Sequence, residues 1–165
     1  MKNVEIPSTV STIDSGAFAY CATLEAVEIP GTVTKLGSSA FYDCSKLSRV
    51  ILSEGIKEIG SDAFYSCDVL AEITIPASVT TIWRTAFSYC NKLTKITFAG
   101  KAPKIYENAF YNVTADAWYP ENFGWTETDC QDYGGTMTWS AYENGSSADP
   151  DPTVLSRGTC GTNLT

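Results

Sequence analysis

The sequence predicts an α/β repeat solenoid. A 23-residue coil should carry a parallel sheet along one side, short helices or 3₁₀ turns along the other, and a β-rich cap at its C-terminal end. Three observations predict it. An Ala-Phe pair returns at Ala17-Phe18, Ala40-Phe41, Ala63-Phe64, Ala86-Phe87 and Ala109-Phe110, 23 residues apart each time. An apolar strand column keeps the same step through Val27/Ile29, Val50/Leu52, Ile73/Ile75 and Ile96/Phe98. From Ala115 the rhythm fails and aromatic residues crowd in. A fixed period in this range marks a solenoid, because so short a unit buries its apolar face only against neighbouring turns.

The chain opens part-way through a unit. Met1-Lys2-Asn3-Val4-Glu5-Ile6-Pro7 aligns with Leu24-Glu25-Ala26-Val27-Glu28-Ile29-Pro30, so Met1 stands in a leucine column. The expectation is a chain that begins inside a longer protein, with any export signal upstream. Val4, Ile6, Val10 and Ile13 then form an apolar layer with no aromatic lid before it. Such a face is expected to favour self-association.

Each unit starts with Leu-x-x-Val/Ile-x-apolar, whose final period-2 pair puts Val27 and Ile29 on one face and Ala26 and Glu28 on the other. A bend follows at Pro30, Ser53 or Pro76, with Gly31 or Gly55 beside it. A second apolar pair (Val10/Ile13, Val33/Leu36, Ile56/Ile59, Val79/Ile82, and weakly Ala102/Ile105) reads as a short extended arm. Gly16, Ser39, Asp62, Thr85 and Asn108 then precede each Ala-Phe. These residue types favour a helix N-cap, and the column predicts a helix of one or two turns, as over Ala63–Asp68. Phe18, Phe41, Phe64, Phe87 and Phe110 should stack inside.

The motif Ile-Pro-x-x-Val-x-x-Ile-x-x-x-Ala-Phe-x-x-Cys-x-x-Leu runs through Ile75–Leu93, and through Ile29–Leu47 with Leu36 in the second Ile column. It resembles the BspA-like leucine-rich repeat family of bacterial surface proteins, over about Lys2 to Asn112. The resemblance implies a curved solenoid displayed on the cell surface or secreted as part of a modular protein, where several members are adhesins for host proteins. It implies no catalytic residues and no cofactor.

Three segments follow from the rhythm: the solenoid over 1–114 with about five repeats, the cap over 115–142, and a linker over 143–165. In the cap, Trp118-Tyr119-Pro120 keeps the strand columns, and Thr136 to Tyr142 alternates like an edge strand after Gly134-Gly135. Trp118, Tyr119, Phe123, Trp125, Tyr133, Trp139 and Tyr142 read as a lid, ahead of a carbohydrate-binding platform. Glu143–Pro152 has linker composition, and Gly158–Thr165 looks like the opening of a following module.

Composition narrows function. Nineteen Asp and Glu against eleven Lys and Arg give a net charge of -8, which argues against a nucleic-acid partner. There is no histidine, so Ser-His and Cys-His catalysis and most catalytic zinc sites are excluded. No apolar run reaches the roughly 20 residues of a membrane helix, and none of the chain reads as membrane-inserted. Cys21, Cys44, Cys67 and Cys90 share a column that holds Val113 in the next copy, so reduced, buried thiols are expected in place of a metal or disulfide ladder. Cys130 and Cys160 either pair with each other or stay free.

Three exposed features are candidate contact surfaces. Arg49, Glu72 and Lys95 form a row of alternating charge on the strand face. Tyr42, Tyr65 and Tyr111 share one column on the opposite side, with Tyr20 and Tyr89 in the next. Trp83 and Tyr106, with Arg84 adjacent, occupy a column that holds Asp14, Gly37 and Gly60 in earlier units. The reading is a non-catalytic binding and adhesion module recognising a host or cell-surface protein or glycan. The alternative is a structural spacer that displays neighbouring domains.

Overall fold

A computed structural model of the chain describes residues 2–143. These hold twelve strands: β1 (Asn3–Glu5), β2 (Thr12–Ile13), β3 (Ala26–Ile29), β4 (Lys35–Leu36), β5 (Arg49–Leu52), β6 (Glu58–Ile59), β7 (Glu72–Ile75), β8 (Thr81–Ile82), β9 (Lys95–Phe98), β10 (Lys104–Ile105), β11 (Thr114–Pro120) and β12 (Thr136–Tyr142). All pairing is parallel. Asn3 faces Ala26, Ala26 faces Arg49 and Glu72 faces Lys95, each one 23-residue turn apart. The two-residue arms β2, β4, β6, β8 and β10 make a second, uninterrupted five-stranded sheet. The fold is thus a parallel β-solenoid.

The inward columns meet in one core. Phe41, Phe64, Phe87 and Phe110 are fully buried, and Phe18 at the first turn is half-buried. Their rings stack at 5.1 to 5.4 Å, nearly parallel, through the whole length. Cys44, Cys67 and Cys90 are buried free thiols, while Cys21 is free and half-buried. The thiol column does more than fill space: Cys44, Cys67 and Cys90 donate S–H bonds of 3.1 to 3.3 Å to the carbonyls of Phe18, Phe41 and Phe64.

The predicted short helices are absent from the described turns, and the expected N-cap column has another role. Gly16, Ser39, Asp62, Thr85 and Asn108 all adopt positive φ, between 56° and 69°. So do Tyr20, Asp43, Ser66, Tyr89 and Asn112 four residues later, between 52° and 61°. The left-handed residues flip alternate peptides. Tyr42 then donates locally to Ser39, while Ser39, Phe41 and Asp43 donate along the stack to Ser61, Ala63 and Tyr65. A helix would aim its N–H groups along its own axis, across the stack, and leave each turn unable to bond the next. Gly, Ser, Asp and Asn serve as caps and also tolerate the left-handed region, so the column reads the same for both. Turns and bends fill Thr126–Tyr133, which reads from sequence as a short helix, and the one helical element among the described residues is a 3₁₀ turn at Glu121–Phe123.

The strand-face sheet is not continuous. β1, β3 and β5 form one sheet, and β7, β9, β11 and β12 another; no ladder joins β5 to β7 among the described residues. Two local features accompany the break. Ser53 donates to Ile29 and Ala99 to Ile75, but Pro76 has no N–H to return to Leu52. At the same corner the Glu54 carboxylate accepts the N–H groups of Ala77 (2.8 Å) and Ser78 (3.0 Å), and Gly55 donates to the Ser78 hydroxyl (2.8 Å). Side chains stitch the two turns where main chain does elsewhere.

The aromatic-rich end continues the coil. Lys95 faces Asp116, an offset of 21, and Thr114 faces Thr136, an offset of 22. Trp125 and Trp139 close on Phe98 at 5.0 and 5.6 Å, and Tyr142 donates its hydroxyl to the Phe98 carbonyl at 2.9 Å. Phe110, whose N–H would otherwise meet a further turn, donates to Tyr133. Cys130 is disulfide-bonded. Cys160, the linker beyond Glu143 and the start of a following module lie outside the described residues.

Candidate functional site

The structure distributes the candidate residues over three separate surfaces. Arg49, Glu72 and Lys95 lie together on the strand face, Trp83, Arg84 and Tyr106 on the arm side, and Tyr42 and Tyr65 on the turn face.

The strand face carries the broken ladder, and there a cavity of about 650 Å³ opens. Arg49, Glu72 and Lys95 line it, with Ile51, Thr74 and Thr97 from the adjacent outward column. Strand alternation points these side chains out because Val50, Leu52, Ile73, Ile75, Ile96 and Phe98 are committed to the core. Glu72 sits opposite Lys95, and Lys95 opposite Asp116, so the charge row extends to a fourth member with its alternation intact. Cα atoms of β5 and β7 come within 8 Å of one another. An intercalated strand would need two strand spacings, about 9.6 Å. The trough therefore excludes a whole inserted strand. Its two walls are unladdered main chain, which adds N–H and C=O groups to the ionic rim. Ile51, Thr74 and Thr97 were legible as outward positions, but the break that hollows the face has no counterpart in the repeat pattern. Trp118, assigned from sequence to the last strand, extends this column: it is half-buried, facing Thr97 and Ser140.

On the arm side the Trp83 and Tyr106 rings stack at 4.5 Å and 15°. Trp83 Nε1 donates to Glu58 at 3.4 Å, Glu58 also pairs with Lys35, and the Lys104 ammonium sits 4.5 Å from the Tyr106 ring centroid. Arg84 pairs with Glu107 at 3.4 Å, both well exposed. At least one face of each ring is therefore engaged within the protein.

The turn face merges what the sequence shows as two tyrosine columns. Tyr20, Tyr42, Tyr65, Tyr89 and Tyr111 form one continuous ridge, with ring centroids 4.8 to 5.4 Å apart. Tyr42 and Tyr65 are parallel within 2°, and the other steps are tilted by 55° to 62°. Desolvation and neighbouring charges, including Asp62 beside both and Asp43 beside Tyr42, raise the Tyr42 and Tyr65 phenols above their usual range. These two phenols therefore keep their protons at neutral pH.

Comparison with known proteins follows the architecture. The profile of the BspA type leucine-rich repeat region matches residues 1–115 in six copies. Among solved structures, a leucine-rich repeat protein of T. pallidum is 30% identical with a TM-score of 0.67, over 71% of this chain and 58% of its own. A leucine-rich cell surface protein of Faecalibacterium prausnitzii is also 30% identical at 0.67, over 78% of this chain and 34% of its own. A leucine-rich repeat protein of Bacteroides ovatus is 27% identical at 0.61, over 84% and 42%. The chain thus spans less than two thirds of each of these proteins. No curated protein sequence matches it. With six in-register copies over the coil, and a parallel β-solenoid built on their Ala-Phe and Cys columns, the chain belongs to the BspA-type leucine-rich repeat family.

Proposed function

We propose that this chain is a non-catalytic binding module of a bacterial cell-surface or secreted multi-domain protein, and that it recognises protein or glycan through its strand face. The observation that carries the reading is the broken ladder between β5 and β7. A solenoid gains nothing in stability from leaving main-chain groups unladdered in mid-sheet. Here the break coincides with the alternating row Arg49, Glu72, Lys95 and a cavity of about 650 Å³, within the usual range for a ligand cleft. The likeness to a leucine-rich cell surface protein of Faecalibacterium prausnitzii supports the location.

The test is a glycan and matrix-protein array probed with the wild-type chain and with the Arg49→Ala/Glu72→Ala double variant. A hit that falls about tenfold or more in affinity in the variant, with unchanged thermal stability, supports the strand face. Silence across the array favours the second reading, a spacer that displays neighbouring domains. The unbroken five-stranded sheet and the full-length phenylalanine stack support that reading, since together they make a stiff rod.

A further inference from the structure

The tyrosine ridge has a feature that folding alone does not require. Every one of five turns contributes one tyrosine, yet the tyrosine does not keep one column. Turns with Tyr42, Tyr65 and Tyr111 use the first position, and follow it with Asp43, Ser66 and Asn112. Where the first position holds Ala19 or Ser88, the tyrosine moves to the next residue, Tyr20 or Tyr89. That second position is left-handed in every turn, with φ of 59° at Tyr20 and 58° at Tyr89. Asp, Ser and Asn suit this conformation; a bulky aromatic residue is uncommon in it. The chain accepts backbone strain at these two turns, and in return the ridge stays continuous. The strain does not serve burial either, because Tyr20 is 69% exposed and Tyr89 36%. Strain retained at an exposed aromatic residue points to a contact made outside the chain.

The geometry narrows the partner. Tyr42 and Tyr65 stack face to face, while Tyr20, Tyr89 and Tyr111 are tilted against their neighbours and are the exposed members of the ridge. Asp43 and Asp62 lie close enough to act on the Tyr42 phenol. Exposed aromatic rings on a ridge that also carries carboxylates recognise cations, through the ring quadrupole and direct charge attraction. The net charge of -8 adds to that attraction. The steps of about 5 Å run the length of the coil, roughly 20 Å in all, which suits an extended segment. We infer that the ridge Tyr20–Tyr42–Tyr65–Tyr89–Tyr111 is a docking surface for an extended, lysine- or arginine-bearing polypeptide segment. It is a different surface from the strand-face trough and stands independently of it.

The experiment uses the full chain and a fluorescein-labelled alternating Lys-Ser peptide, read by anisotropy at about 0.1 M salt, with Glu-Ser and Gly-Ser peptides of equal length as comparisons. The central variant is Tyr20→Asn/Tyr89→Asn, because asparagine already occupies this left-handed position at Asn112 and is compatible with the fold. Affinity for the Lys-Ser peptide should fall about tenfold while the melting temperature holds or rises. Tyr20→Phe/Tyr89→Phe should bind like wild type, since the ring faces remain. Asp43→Asn/Asp62→Asn should weaken binding and flatten its salt dependence. Arg49→Ala/Glu72→Ala should leave the peptide bound, which separates this surface from the trough. Unchanged affinity in the Tyr→Asn variant would show that net charge alone does the binding, and would overturn the proposal. A large drop in its melting temperature would assign the rings to packing and overturn it equally, as would comparable binding of the Gly-Ser peptide.

Discussion

The thiol of Cys67 donates a hydrogen bond of 3.3 Å to the carbonyl oxygen of Phe41, one turn back along the coil. Cys44 and Cys90 do the same to Phe18 and Phe64, so a column that a small apolar group could fill also serves the main chain. Burial is the leading reason these thiols hold their protons: it pushes Cys44 up to about 11, Cys90 up to about 12 and Cys67 upward as well.

Native protein should therefore react with a thiol reagent first at half-buried Cys21, and at Cys44, Cys67 and Cys90 only on unfolding. The pH dependence has a definite sign. The folded state keeps protons that the unfolded chain releases above about pH 8.5. The thiol contribution is complete below that pH and is lost as pH rises toward 11 and 12. The melting temperature should fall across this window less steeply in Cys44→Val/Cys90→Val, which copies Val113, than in wild type. Equal slopes would remove the thiols from the explanation.

Thr85 is the β-branched member of the first left-handed column, at φ 58°. Left-handed backbone costs an L-residue about 1–2 kcal/mol, and asparagine bears it best among non-glycine residues. Thr85→Asn should raise the melting temperature by about 2–4 °C in calorimetry. A decrease would mean that the threonine side chain makes a compensating contact.

Gly55 combines φ of 126° with a main chain so close that an added Cβ would lie 2.0 Å from the Gly31 carbonyl oxygen. Gly55→Ala should cost about 2–3 kcal/mol or more, from strain and displaced backbone together. Its effect should centre on the corner shared with Gly31, with faster amide exchange in β3 and β5 than in β9. Wild-type stability in a denaturant titration would contradict the packing described at this corner.

Trp83 separates a contact site from a structural brace. Its ring lies against Tyr106 at 4.5 Å and its Nε1 reaches Glu58. The expectation for Trp83→Ala is a loss of about 1–3 kcal/mol, as for removal of a half-buried aromatic stack, read as a melting drop of several degrees. Lost partner binding at unchanged melting temperature would assign the ring to recognition instead. Arg84→Ala should change stability by less than about 1 kcal/mol, because its pair with Glu107 is exposed.

Much of this molecule was legible in the one-dimensional pattern. A period of 23 places Phe41 on Phe64 and Val27 beside Val50 before any coordinate is known, because a stack of identical turns can satisfy identical apolar columns in only one register. The outward rows, including Arg49, Glu72 and Lys95, follow from the same alternation. Three features were decided only by tertiary structure. Ser39 and Asp62 carry the chemistry of a cap and of a left-handed turn alike, and the need of each turn to bond its neighbour selects the turn. Tyr20 and Tyr42 belong to different columns, and meet because a left-handed residue redirects its side chain into the neighbouring row. The opening between β5 and β7, with Glu54 bridging its corner, arises between turns, where a repeat pattern carries no signal.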